Sequence, residues 1–425
     1  MREFCAFLLG IAIIVAGASA ASMGYAPDVR DGLFDASEVY TFDYSSQSES
    51  YWDDVSLSLL TVAPAEPVYI YFGHTGVLLS LPGQEDRLFD YGTFGFGPGF
   101  FTDFARGLLY YDLSSGKASR RLERFEEEDR TMSLLSFGFT PEEKKGVTAF
   151  LEENSKPENT TYLYHYYKDN CATRVRDIYD AAKGGDFRQW AESISTEKSY
   201  RDYARPYLSP SLFFNLFLNY LQGPGIDYSL TLWEAMFLPD TLRDSIAEYN
   251  GESVDEIYTT SARKDVPESY ALEPRALAVG LILAAVIMLA SSRHRALRTF
   301  SDIASGLFYT FLGLASALLI FMMLFTNHDV TYGNINWLII SPLNLFSGIN
   351  RLRSLGRNSR RPSMFVFSGA SIALALIALT VQVLTPFAQA NAPYYLLALC
   401  LYIPEYYFVD LLLDRRHIKE ETGRR

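Results

Sequence analysis

The sequence predicts an α+β domain exported across a membrane, followed by a five-helix α transmembrane domain. Three observations predict it: an apolar leader, strand- and helix-forming segments across residues 56–250, and five apolar runs separated by arginine-bearing loops. The formal net charge of −13 over 425 residues is unevenly spread. Residues 1–275 hold 24 Lys+Arg against 43 Asp+Glu, and residues 276–425 hold 13 against 7. The acidic first part lacks a surface that would neutralise phosphates, which argues against a nucleic-acid partner.

Residues 1–20 carry an early Arg2, an apolar run and then Ala18-Ser19-Ala20, the pattern of a signal peptide or a retained anchor. Residues 21–55 read as a polar, Tyr- and Ser-rich lead-in. The first firm element is expected over Val68-Tyr69-Ile70-Tyr71-Phe72, interrupted by Gly73-His74 and continued through Leu81. A turn at Pro82-Gly83 leads to a return strand, Arg87-Leu88-Phe89-Asp90-Tyr91, which makes a hairpin carrying a histidine. Residues 108–113 suit a further strand, the charge-dense stretch 119–131 a solvated face or arm, and residues 141–153 a surface helix capped by Thr140. From Cys171 the spacing of Val175, Ile178, Tyr179 and Ala182 predicts a helix with one buried stripe, ended by Gly184-Gly185. The aromatic run 203–221 reads as core or as a lipid-chain groove, and 251–272 as a linker.

Residues 273–414 form the expected membrane domain, with apolar runs at 270–291, 303–325, 335–349, 364–383 and 394–413, before a tail at 415–425. Arginines cluster at 293–298, at 351–361 and in the tail, whereas loops 326–333 and 386–393 have neither Lys nor Arg. The positive-inside rule then places the tail in the cytoplasm and the large N-terminal domain outside, as a multi-pass protein of the cytoplasmic (inner) membrane. Asn336, Asn344, Ser347 and Arg351 share one sector of the third run, so that run faces protein or a polar cavity. Glu405 sits near mid-depth of the last run, either paired to a neighbouring helix or functional.

The exported domain has one cysteine, Cys171, with no partner in its own domain; such a thiol is either buried and inert or kept for its reactivity. A helix N-terminus favours thiolate, and its N–H groups can receive an oxyanion. Two histidines are candidates for the base. His74 lies on a strand, where papain-like folds hold theirs, and His165 lies in the approach to Cys171. Asp90 is the candidate to orient the imidazole, with Tyr91 competing. His74, His165 and His328 lack companions at ligand spacing, so no metal is expected, and no cofactor.

The order His-then-Cys resembles the circularly permuted papain-like (NlpC-type) enzymes, including the lecithin:retinol acyltransferase group. More specifically, Ser58-Leu59-Leu60-Thr61, Ala63-Pro64, Phe72-Gly73-His74-Thr75, Tyr91-Gly92-Thr93-Phe94, Asp169-Asn170-Cys171-Ala172-Thr173-Arg174 and Met236-Phe237-Leu238-Pro239 resemble, in this order, the lipoprotein intramolecular transacylase (Lnb) family. The stretch with His328, Asn334, Asn336 and Ser341-Pro342-Leu343 is similar to that family's membrane part. The chain departs from the family at Gly95, where an acid is expected, and at Val62, often a cysteine in relatives.

The resemblance implies that Cys171 and His74 are a catalytic pair. It implies acyl transfer, through a Cys171 thioester, from a lipoprotein's diacylglyceryl group to the amine of its N-terminal cysteine, with that lipoprotein or a phospholipid in the membrane as acyl substrate. Asn170, Arg174, Tyr91, His165 and His328 are the candidate substrate-binding residues, Arg174 being more readily a solvated helix-face arginine. Competing readings are a papain-like cell-wall peptidase or amidase, and a non-catalytic membrane assembly or sensor protein.

Overall fold

A computed structural model describes residues 47–260, 265–292, 294–353, 355 and 363–406. The leader, most of the lead-in and the tail lie outside the described residues. The chain divides into two compact units, Met1–Tyr207 with Ser229–Pro267, and Leu208–Tyr228 with Glu268–Arg425. The aromatic segment 208–228 thus goes with the helical unit, although it falls inside the stretch 56–250 expected as one domain.

The first unit is built on seven antiparallel strands: β1 (Ser56–Val62), β2 (His74–Ser80), β3 (Arg87–Thr93), β4 (Tyr110–Lys117), β5 (Met132–Ser136), β6 (Thr161–Leu163) and β7 (Asp255–Tyr258), in the spatial order β6-β4-β3-β2-β1-β5-β7. The hairpin of the sequence reading is β2–β3, with Val77 opposite Phe89. Its first strand starts later than expected. Residues 68–70 form a 3-10 turn, in which Ile70 N–H donates to Pro67 O and Gly73 N–H to Ile70 O, and the chain then turns through Gly73 at φ +76°. Backbone groups closed locally in this way are unavailable to a ladder, so His74 is the first residue of β2.

Strand β1 lies between β2 and β5, and both of its faces are covered. Leu57 and Leu59, with Val77, Leu79, Phe89 and Tyr91, pack on Val175 and Tyr179 of the helix Cys171–Ala182 and on Leu151 of the helix Pro141–Asn154. Thr140 caps the latter through a reciprocal pair with Glu143. On the other face Leu60, Val62, Leu78 and Leu88 pack on Ala118 and Phe125 of the helix Ala118–Glu127. The charge-dense stretch is therefore a covering helix rather than a solvated arm. Its apolar positions Ala118, Leu122 and Phe125 recur at helical spacing, and burying a Phe or Leu contributes about 1.5–3 kcal/mol.

In the second unit, three helices among the described residues are long and apolar enough to cross a membrane: Glu273–Ser291, Arg295–Phe325 and Val366–Leu384. The described part of the fifth run begins as the helix Ala392–Ile403. The third is not one helix. It is broken into Asn336–Ile339 and Asn344–Arg353 around Ser341-Pro342, because proline cannot donate to the ladder. The backbone freed there is met by side chains, with Ser341 N–H donating to Tyr402 Oη and Leu343 N–H to Ser341 Oγ. Asn334 and Asn336 each donate to the carbonyl of Tyr220 at 2.9 Å, which ties the helix Leu212–Leu221 to this unit. The polar sector of the third run is buried: Asn344 donates to Tyr402 Oη at 2.9 Å, and Arg351 donates to Ser305 Oγ at 2.7 Å and pairs with Glu405. Glu405 is thus an acid paired to a neighbouring helix.

Removing one member of a buried ion pair leaves a stranded charge, whereas removing both leaves an apolar gap. Arg351→Met alone is expected to destabilise the detergent-solubilised protein by about 3–5 kcal/mol. The Arg351→Met/Glu405→Leu double variant should recover most of the loss in melting temperature.

Candidate active site

The start of the Cys171 helix is fixed by its neighbour. Asn170 has an extended backbone, and its Oδ1 accepts the N–H groups of Ala172 and Thr173, each at 2.9 Å. Thr173 Oγ1 accepts the Asn170 N–H at 2.7 Å, which closes a reciprocal cap. The Asn170 amide then donates to Tyr166 O at 3.0 Å and to Phe237 O at 2.9 Å. Two motifs that stand 67 residues apart in the chain, around Asn170 and around Phe237, are thereby one structure. The loop before the cap is closed by paired backbone bonds between His165 and Asp169, while His165 Nδ1 accepts the N–H groups of Tyr167 and Lys168, each at 3.1 Å. The His165 ring is thus engaged in closing the loop that leads to the thiol.

His74 stands beside the thiol. Its Nε2 is hydrogen-bonded to Asp90, which leaves the other ring nitrogen for Cys171. Asp90 lies one strand away on the same face of the hairpin, is 1% exposed, and is also paired with Arg121 from the covering helix. Tyr91 points to the opposite face, where its hydroxyl donates to Asn154 at 2.6 Å. The register therefore decides between the two candidate orienters: Asp90 contacts the imidazole and Tyr91 belongs to the core. Asp90 also supplies the carboxylate expected, and missing, at Gly95.

The electrostatics follow from this placement. For His74, burial opposes the charge, but Asp90 and Cys171 outweigh it and push the pKa up to about 10. For Asp90, burial opposes ionisation, and His74 with Arg121 holds the carboxyl well below its usual range. For Cys171, burial again raises the value, yet the imidazolium and the Thr75 N–H bring the thiol below its ordinary pKa. The site is thus arranged so that an imidazole of raised pKa favours the thiolate form of Cys171 and is itself backed by a carboxylate–guanidinium pair. Cys171 is 8% exposed, so this chemistry is largely screened from water.

Arg121 was not legible as a site residue, hidden in the run of charges; the available signal was its place one turn before Phe125 on the buried stripe. Arg174 pairs with Asp169, and its guanidinium lies 4.1 Å from the centre of the Tyr162 ring, so the anion it holds here is internal. His328 belongs to the second unit and is buried there, its carbonyl accepting from Thr331 Oγ1. From the thiol outward, Tyr164 stands beside Gly92 and Cys171, and rings continue through Tyr111 and Phe94 to Phe96 and Phe100 at centroid spacings of 4.5–5.7 Å. Phe96 and Phe101, at the end of this path, are more than half exposed.

Residues 44–203 match the family model described as the Lnb N-terminal periplasmic domain, and residues 267–415 match that of the Lnb transmembrane domain. The chain belongs to the Lnb family. Neither the curated proteins nor the solved structures provide a further match. As an Lnb protein it is a multi-pass membrane protein of lipoprotein processing with a periplasmic N-terminal domain. His74, Asp90, Arg121 and Cys171 all fall within the first Lnb match, and Arg351 and Glu405 within the second.

Two outcomes are expected. Iodoacetamide should alkylate Cys171 at a rate that levels off below the ordinary thiol range. In His74→Ala the rate at pH 6 should fall by about tenfold or more, one pKa unit of lost thiolate being tenfold, with Asp90→Asn between the two. Asn170→Ala, losing its cap, should destabilise the first unit by about 1–2 kcal/mol and strip exchange protection from the Ala172 and Thr173 amides.

Proposed function

We propose that the chain is a membrane-bound lipoprotein N-acyltransferase that moves an O-linked acyl chain of the diacylglyceryl group to the amine of the lipoprotein's N-terminal cysteine. The observation that carries this is the buried Cys171–His74–Asp90 relay at a helix N-terminus in a member of the Lnb family. An antiparallel sheet bearing the histidine, with the cysteine opening a helix packed on it, supports the permuted papain-like reading of this unit.

In the first step the Cys171 thiolate attacks the ester carbonyl and a C–S bond forms. The C–O bond breaks, and the departing alkoxide takes the proton from His74. In the second step the α-amine attacks the thioester and gives its proton back to His74, and the thiolate leaves. Net, an ester and an amine become an alcohol and an amide. Ester and thioester lie close in energy and the amide lies lower, so the sequence runs without an external energy source. Asp90 holds the imidazole in the orientation that faces the sulfur and stabilises its protonated form, and Arg121 keeps that buried carboxylate ionised. The ring path from Tyr164 to the exposed Phe96 and Phe101 offers an acyl chain an apolar surface starting at the thiol. The arginine distribution supports a cytoplasmic C-terminus in the inner membrane, which puts the relay on the side where exported lipoproteins emerge.

Mass spectrometry of the N-terminal peptides of lipoproteins tests this. Cells carrying the protein should show N-acylated peptides with one O-linked chain fewer, and Cys171→Ala or His74→Ala should abolish the change. If the donor were a phospholipid, the O-linked chains would be retained while the amide formed. An unchanged acylation pattern in the presence of the folded wild-type protein would sink the proposal.

A further inference from the structure

Attack on an ester carbonyl puts a negative charge on its oxygen, and a site that promotes the attack needs donors aimed at that oxygen. The start of the Cys171 helix is the obvious source, but Asn170 already occupies the N–H groups of Ala172 and Thr173. The N–H of Cys171 itself remains outside the cap. One donor alone leaves the oxyanion half satisfied.

A second donor stands close by. The Tyr162 hydroxyl is buried and, among the described residues, has no hydrogen-bond partner. Left so, a buried polar group destabilises the fold by about 1–3 kcal/mol, which makes its retention informative. The space in front of it is open because residue 92 is glycine, with φ +86°, at the irregularity where the β3–β4 register shifts between Tyr91 and Thr93. A Cβ built on Gly92 would lie 3.7 Å from the Tyr162 oxygen, 3.7 Å from Cys171 Cβ and 3.4 Å from the Tyr164 ring. The missing side chain therefore leaves a gap of atomic size bounded by the thiol-bearing carbon on one side and the orphan hydroxyl on the other. The tyrosine is also held in place, with the Arg174 guanidinium on one face of its ring, itself fixed by Asp169, and Tyr91 edge-on at 6.2 Å. Burial and the neighbouring Cys171 charge raise the phenol's pKa, so the group keeps its proton.

We propose that the Tyr162 hydroxyl, together with the Cys171 N–H, donates to the oxyanion formed when Cys171 attacks an ester. As the C–S bond forms, the carbonyl π pair moves onto oxygen and accepts both donors. As the C–O bond breaks, the pair returns, and Tyr162 keeps its proton throughout while His74 supplies the one taken by the alkoxide. Tyr162 is on this account a catalytic residue of the acylation step, and Arg174 and Asp169 are positioning residues that act through its ring. The assignment rests on the thioester reading of Cys171 but not on which ester is the natural donor.

The test compares two reagents on the full-length protein in detergent. An activated ester, p-nitrophenyl butyrate, acylates Cys171 through an oxyanion, whereas iodoacetamide alkylates it by displacement and forms none. In Tyr162→Phe the single-turnover acylation rate should fall by about 10²–10³, the effect of removing one such donor. The alkylation rate and its pH dependence should stay within about twofold of the wild type, which also shows that the variant is folded and its thiolate intact. Acylation within about threefold of the wild type would overturn the assignment. So would an equal fall in both rates, which would mean that Tyr162 acts on the thiol, or a wild type that alkylates but does not acylate. A protein that acylates in a Tyr162-dependent way yet leaves lipoprotein N-termini unchanged would instead refute the proposed substrate and leave this assignment standing.

Discussion

A carboxylate with 1% of its surface exposed has to be compensated, and the way Asp90 is compensated organises the first unit. One partner, His74, comes from the strand beside it, and the other, Arg121, comes from a helix on the outer face of the sheet. The arrangement requires the β2–β3 register to put residues 74 and 90 on one face, and it requires the helix Ala118–Glu127 to dock with Arg121 pointing inward. Given those two partners the pKa of the imidazole rises, and that imidazole, at the first residue of β2, lowers the pKa of the Cys171 thiol. Carboxylate, imidazole and thiol form a chain in which the charged form of each is favoured by the next.

The thiol reaches that chain because the helix it opens is fixed independently. Asn170 binds forward to its own helix and across to the carbonyl of Phe237, so the helix start is locked to the segment Met236–Pro239 rather than left to loop geometry. The opposite boundary is Gly92, whose missing side chain leaves room between Cys171 and the rings of Tyr162 and Tyr164. A site with a stiff helix end, a glycine gap and a wall of aromatic rings suits a substrate whose reacting carbonyl is small and whose remainder is apolar chain.

Much of this was legible from residues. Cys171 at a helix start, the hairpin bearing His74 and Asp90, the Thr140 cap and five apolar runs all follow from local chemistry: cap residues, turn residues and periodicity. What was not legible depended on contacts between distant segments. Strand β1 lies before the first strand expected from the sequence, because Ser56 and Ser58 dilute its pattern, and its burial on both faces is known only once β2 and β5 flank it. Residues 68–72 have strand composition, but Pro67 and Gly73 at their ends close them into a turn. Arg121 looks like one charge among many until Asp90 is seen beneath it. Tyr162 is one of several tyrosines around Cys171, and it is set apart by a buried hydroxyl with no hydrogen-bond partner among the described residues. In the helical unit, the break at Ser341-Pro342 was announced by proline, whereas the attachment of the helix Leu212–Leu221 depends on Asn334 and Asn336 reaching the Tyr220 carbonyl.

The central claim is that Cys171 carries the acyl chain. It is tested most directly by supplying a diacylglyceryl lipopeptide whose α-amine is acetylated, so that the first step can occur and the second cannot. Mass spectrometry of the protein should then show one acyl chain on the Cys171 peptide, labile to hydroxylamine and absent from His74→Ala. Loss of a chain from the lipopeptide with no adduct on Cys171, or an adduct on another residue, would contradict the account.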